Sequence, residues 1–286
     1  MVIRTMRQPF FVLRELCVSA GREASEDRAG VVANAAWVID GATQIENSSP
    51  LAGPSEGTWI VELIHAELYK ICLRGYFDSL ADLFVHLACL IRDELETVGY
   101  PKDRLPPAAS LAIARLNADT IEVAIAGDVS VMFRNGGQPH RLCEKRFLDN
   151  ERLPEKRRGE NEKAAKHKRS DLLSRRRGYI YSRSGPFILS ANPETVQRCN
   201  TITYPIDNHS SVVLASDGFM RLQDIYGDVL SIDEFIEAGD VCRLHELMQR
   251  LRVKEAQAKD ADEHSGMVKD QDDAAALAVM NFFMAR

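Results

Sequence analysis

Four short acidic stretches hold the residues with the clearest chemical potential. Glu26-Asp27 stands before the stretch Gly30–Ala33, and Asp40-Gly41 follows the apolar run Trp37-Val38-Ile39. Ser216-Asp217-Gly218 follows Val212-Val213-Leu214-Ala215, and Asp272-Asp273 precedes Ala274 to Val279. Apolar runs of this length bounded by turn residues read as buried strands. A carboxylate therefore stands at the rim of a core strand several times over. Hard divalent cations take oxygen ligands, and sites of several carboxylates are assembled this way from distant parts of a chain. An isolated Asp-Gly is usually only a turn. A set of four is much harder to explain as turns.

With Gly127-Asp128 added, the motifs run in a fixed order: Glu-Asp, strand then Asp-Gly, Gly-Asp, Ser-Asp-Gly, and Asp-Asp before a last strand. That order resembles the type 2C, metal-dependent, protein serine/threonine phosphatases over roughly Phe10 to Phe283. The resemblance implies an α+β fold, an αββα sandwich of two antiparallel sheets flanked by helices. It implies hydrolysis of phosphoserine or phosphothreonine in a protein substrate, with two ions of Mn²⁺ or Mg²⁺. A phosphate monoester is dianionic and repels an anionic nucleophile. Two divalent ions about 4 Å apart neutralise the ester oxygens and lower the pKa of bound water.

By the resemblance, Asp40 is the ligand shared by both ions. The Gly41 carbonyl and Glu26 serve one ion, and Asp217 and Asp272 serve the other. Asp27 orients waters or ligands behind them. Asp272 is preferred to Asp273 because the family has Asp, then a polar residue, then the final strand. Arg22, four residues before Glu26, matches an Arg that binds the substrate phosphate, for which a fork of N–H donors is suited. Without the resemblance, Arg22 reads as a surface residue in a polar loop.

The chain departs from the family in two places. Many members carry His after the Asp-Gly, proposed as general acid; here Ala42-Thr43-Gln44 stands. Ala42 has no proton to give, so water or another group must protonate the leaving alcohol. Asp128 matches a position where some members bind a third ion, but the usual acid four residues after Asp217 is Arg221. That placement predicts an Arg221–Asp128 ion pair. Two other functions fit the same motifs. One is a non-catalytic phosphatase-like module that binds a phosphorylated or acidic partner. The other is a hydrolase of small phosphate esters.

The elements that position these residues follow from periodicity. Phe10 to Val18 and Gly30 to Ile39 read as strands, and Ile45 to Gly57 as an exposed loop. Thr58 to Leu73 is helical, with Ile60, Leu63, Ile64, Leu68 and Ile71 on one face. A second helix capped by Asp78 or Ser79 runs through Leu80, Leu83, Phe84, Leu87, Leu90, Ile91 and Leu95, and Gly99 and Pro101 stop it. Ser110 to Leu116, Thr120 to Ala126 and Val129 to Phe133 are β-rich and joined by hairpin loops at 117–119 and 135–137. Gly178 to Leu189 alternates like a strand, and Asn192 to Asn208 is mixed. Ser211 to Ala215 reads as a strand, Ser231 to Ala238 and Asp240 to Lys259 as helices, and Ala274 to Phe283 as the closing strand.

Glu144 to Arg177 differs in composition. It holds 13 Lys or Arg and 7 Asp or Glu, so it is +6 in a chain of −6 overall. With few apolar residues it buries little, and it reads as a solvated arm. In the family this interval carries a variable flap, which makes Arg175, Arg176 and Arg177 candidate contacts for a phosphorylated substrate. Nucleic acid is the weaker partner class, because Phe147 alone of the Phe, Tyr and Trp residues interleaves the charges before Tyr179.

A chain of 286 residues with 45% hydrophobic and 27% charged content fits an ordinary globular protein. We expect a single catalytic domain over 1–286 with the basic flap as an insertion. No apolar run spans a bilayer, and Met1 to Arg7 lacks the apolar core of a secretory signal. The six cysteines form no Cys-x-x-Cys pair, which suits reduced thiols in a cytoplasmic protein and argues against structural zinc.

Overall fold

A computed structural model of the chain describes residues 10–20, 25–45, 49–75, 77–117, 120–147, 178, 185–205, 211–260 and 271–282. Its strands are β1 (Phe10–Ser19), β2 (Asp27–Val32), β3 (Ala35–Gly41), β4 (Ala108–Asn117), β5 (Thr120–Ala126), β6 (Ser130–Asn135), β7 (Gln138–Leu142), β8 (Leu189–Ser190), β9 (Asn200–Pro205), β10 (Ser211–Ala215) and β11 (Ala274–Phe282). Its α-helices are α1 (Glu56–Arg74), α2 (Leu80–Thr97), α3 (Asp217–Asp224), α4 (Ile232–Asp240) and α5 (Leu244–Asp260).

The strands form two antiparallel sheets. One runs β1-β11-β10-β6-β7, and the other runs β2-β3-β4-β5-β9, with β8 paired to β4. Three apolar layers hold the stack together. Val38, Ala36, Ala112, Val131, Leu214 and Leu277 fill the space between the sheets. Trp37, Ile39, Leu111 and Ile113 pack on the faces of α1 and α2. Met132, Val213 and Ala276 pack against α3, α4 and α5 through Phe219, Phe235 and Leu251. The expected αββα sandwich is therefore the observed one. Strand β3 shows how the pattern works. Its residues alternate between the two layers, so a run with no polar residue is buried on both faces.

The caps follow the sequence signals. Ser55 and Ser79 accept from Thr58 N and Asp82 N at the starts of α1 and α2. Gly75 ends α1 in a left-handed conformation, φ 67°.

Some boundaries differ from expectation. Helix α1 begins at Glu56, inside the stretch read as a loop. The mixed stretch from Asn192 holds a short 3₁₀ turn and then β9, which pairs with β5. Within Gly178 to Leu189 the described strand is confined to the last residue, at the start of β8, and 179–184 lie outside the described residues. Helix α3 begins at Asp217, where the periodicity marked no element. The bulk of the basic stretch, 148–177, also lies outside the described residues. All six cysteines are free thiols. Among the described residues, no helix is long and apolar enough to cross a membrane.

Candidate metal centre

The acidic residues meet at one end of the sandwich because the strand register brings them there. Asp27 on β2 lies directly opposite Asp40 on β3, and Asp40 lies opposite Ser110 on β4. Residues opposite one another in a sheet share a face. Asp27, Asp40 and Ser110 therefore form a row on the face turned toward the second sheet. Ser110 Oγ donates to Asp128 Oδ1 at 2.5 Å and adds the Gly127-Asp128 turn to the row. That turn needs glycine twice over. Gly127 has φ 81°, and a Cβ there would stand 2.0 Å from Ser110 Oγ.

The second sheet supplies the rest. Ser216, Asp217 and Gly218 leave β10 and start α3, while Asp272 and Asp273 lead into β11. Ser216 locks these segments together: its N–H donates to Ala275 O at 2.9 Å, and its Oγ accepts from Ala275 N at 2.9 Å. Gly218 packs so closely that a Cβ would lie 1.9 Å from Asp273 O. Asp40, Asp128 and Asp217 each offer a carboxylate oxygen, and these atoms all lie within 4.8 Å of one another.

Carboxylates so close and so buried cannot all ionise freely. Asp27 and Asp40 have pKa values raised well above the ordinary carboxylate range. Burial is the first cause for both. The charge of Asp217 acts on each, joined by Asp272 and Asp273 at Asp27 and by Asp27 and Asp128 at Asp40. Asp128 is pushed up to about 7 by burial and by Asp217 and Asp272, with the Ser110 hydrogen bond opposing. The carboxylate oxygens of Asp27 are buried and have no hydrogen-bond partner of ordinary geometry among the described residues, although the nearby Ser216 hydroxyl tempers its shift. Buried anionic oxygens without donors, facing further carboxylates, fit a divalent cation that takes oxygen ligands.

Adjacent strand residues point to opposite faces, and this separates Glu26 from Asp27. The Glu26 carboxylate turns to the start of α1, where Ser55 Oγ donates to its Oε1 at 2.5 Å. The Glu26 N–H donates to Asp273 Oδ2 at 2.7 Å. Arg28 steadies this corner by donating to the carbonyls of Ser25 and Asp27 and pairing with Glu62 on α1. Gly41 closes β3 and donates its N–H to Glu26 O at 2.9 Å. Asp272 Oδ1 accepts from Asp273 N at 3.0 Å. Arg22 lies outside the described residues.

The expected Arg221–Asp128 pair gives way to another arrangement. Arg221 is buried on α3 and pairs with Glu255 of α5 at 3.2 Å, with Tyr226 OH 3.4 Å from its Nη2. One turn beyond Asp217, the helix carries Arg221 toward the α-helical layer. Asp128 instead takes its hydrogen bond from Ser110. Sequence reasoning gave no place to Ser110, Glu255 or Arg252. A Ser in a strand carries no signal of its own until its register with Asp40 is known.

No protein-family model and no curated protein sequence matches the chain. Solved structures do match over nearly its whole length. The serine/threonine phosphatase Stp1 from Staphylococcus aureus has a TM-score of 0.56 at 13% identity, covering 98% of this chain and 99% of that one. The catalytic domain of the serine/threonine protein phosphatase PstP, solved with 2 manganese ions, has a TM-score of 0.56 at 14% identity, covering 96% and 100%. PppA, a regulatory component of the type VI secretion system in Pseudomonas aeruginosa, has a TM-score of 0.55 at 15% identity, covering 96% and 98%. This chain has the fold of these proteins. At such identities the likeness speaks to the fold, and the chemistry has to come from the residues gathered at the acidic end.

Proposed function

We propose that this chain hydrolyses phosphoserine or phosphothreonine in proteins with Mn²⁺ or Mg²⁺ bound at the acidic end of the sandwich. The observation that carries the reading is the convergence of Asp27, Asp40, Asp128 and Asp217 from four separate segments on one buried cluster. Likeness of fold to serine/threonine phosphatases, one of them solved with two manganese ions, supports it.

Asp40 sits between Asp27 and Asp217 and is the residue best placed to be shared by two ions. Asp217 and Asp272 would complete one ion's set, and the Gly41 carbonyl would serve the other with Glu26. Glu26, whose carboxylate is turned to Ser55, would serve through water. Asp27 would orient ligands from behind Asp40. Bound ions would offset the phosphate charge and lower the pKa of water. Asp128, held by Ser110, would keep a further carboxylate at the same cluster. Ala42 offers no proton, so water or another group would protonate the leaving alcohol. A preference for good leaving groups follows. Arg22 would grip the phosphate.

The reading includes one catalytic domain with the basic stretch 144–177 as a flap beside the substrate. Removing the charges of Arg175, Arg176 and Arg177 should then raise KM for acidic phosphopeptides more than for p-nitrophenyl phosphate. The broader test is turnover of p-nitrophenyl phosphate with Mn²⁺ and with EDTA, followed by a panel of phosphopeptides. Metal-dependent turnover extending to phosphoserine and phosphothreonine peptides is expected. No turnover of any phosphate ester with metal supplied would point to a binding module, and turnover of small esters alone to the small-ester hydrolase.

A further inference from the structure

Behind the acidic cluster lies a second charged group, on α5. Glu255 and Arg221 are almost wholly buried, with side chains 3% exposed, and their ion pair spans 3.2 Å. The other Glu255 oxygen pairs with Arg252 Nη1 at 2.6 Å. Arg252 then reaches the chain ends around the site. Its Nη1 donates to Asp272 O at 2.8 Å, its Nη2 to Ser19 O at 2.7 Å, and its Nε to Ser19 Oγ at 3.0 Å. Asp272 N approaches Glu255 Oε1 at 3.4 Å. One carboxylate thus ties together α3, which begins at Asp217, the segment carrying Asp272, and the end of β1.

Stability alone is a poor reason for such a group. Burying charges carries a large desolvation cost, and replacing a buried Arg–Glu–Arg set by apolar residues is often neutral or stabilising. A metal site supplies a better reason. Asp217 and Asp272 arrive on different segments and must hold their separation while their charges repel. Groups behind metal ligands fix ligand orientation, and losing one typically weakens metal binding by about 10- to 100-fold.

We propose that Glu255 is a positioning residue. Through Arg221 and Arg252 it fixes the two segments that present Asp217 and Asp272 to the divalent ions. The inference rests on the metal-site reading above, and the readout separates the two. Mn²⁺ binding is measured by calorimetric titration, independent of turnover, on the wild type, Glu255→Gln, the conservative Arg252→Lys, and the apolar triple variant Arg221→Met/Glu255→Leu/Arg252→Met. Each variant's thermal unfolding is followed in EDTA.

Wild type that binds no Mn²⁺ overturns the metal-site reading and this inference with it. If wild type binds, Glu255→Gln should bind about tenfold more weakly. The triple variant should melt near or above the wild-type temperature yet stay weak in Mn²⁺. A triple variant that binds like wild type shows that the group only fills space, and overturns the inference. Should Glu255→Gln and the triple variant fail to fold, Arg252→Lys decides. It keeps the charge beside Glu255 and loses the fork to Asp272 and Ser19. Weaker Mn²⁺ binding supports the inference, and unchanged binding overturns it.

Discussion

Asp40 carries the most weight among single residues, because its carboxyl faces Asp27, Asp128 and Asp217 at once. Asp40→Asn should lower Mn²⁺-dependent turnover by more than about 100-fold, beyond the range seen when supporting groups around metals are lost. In EDTA the same variant should melt higher than wild type, since a neutral amide removes one member of a repelling set. Steady-state kinetics and thermal melts check the two halves separately. Asp40, Asp217 and Asp27 were legible in the sequence because each stands at the edge of an apolar run. Ser110 was not, because its role depends on lying opposite Asp40 in a neighbouring strand. Arg221 misled for a related reason: spacing gives the distance along the chain, but a helix after Asp217 turned its side chain toward Glu255.

At the scale of elements, the site depends on how closely backbone segments approach. Gly127→Ala would force a side chain into φ 81° and against Ser110 Oγ. A cost of more than about 2 kcal/mol is expected, read as a lowered midpoint in urea. A second prediction concerns the far end of α5. The register of β1 against β11 slips between Leu13 and Glu15. Glu15 accepts from the N–H groups of Leu244 and His245 at 2.7 and 3.0 Å, capping that helix. Glu15→Ala should lose about 1–2 kcal/mol in the same assay. Helices α1 and α2 were readable from their apolar stripes and serine caps. Helix α3 was not, since eight residues give too short a stripe and Ser-Asp-Gly alone reads as a turn. Strand β9 was hidden because its sequence, Asn200–Pro205, is mostly polar and its pairing with β5 is non-local.

The whole molecule carries the electrostatic cost of the site. Asp27, Asp40 and Asp128 hold their protons to higher pH folded than unfolded, where the value is 3.8. The native state then binds more protons than the unfolded state, so stability falls as pH rises through that window. His65, lowered by burial, gives the opposite slope, but only up to its ordinary value of 6.5. Metal-free protein should therefore melt progressively lower from pH 6.5 to about pH 8. Under the proposed function Mn²⁺ would bind the deprotonated carboxylates, so the gain in Tm on adding it should grow over the same range. Melts in EDTA and in Mn²⁺ across that range check both slopes; a flat EDTA series would show that the cluster is not repelling. At this scale the αββα sandwich was legible through the family resemblance that the ordered acidic motifs carry; periodicity alone marked helices and β-rich hairpins and left open how two sheets stack.

The most direct test of the account is anomalous diffraction from a crystal soaked in Mn²⁺. The account predicts two manganese peaks at the acidic end, both against Asp40, with Asp217 and Asp272 on one of them. Manganese absent from that cluster while bound elsewhere, or present without contact to Asp40, would contradict it.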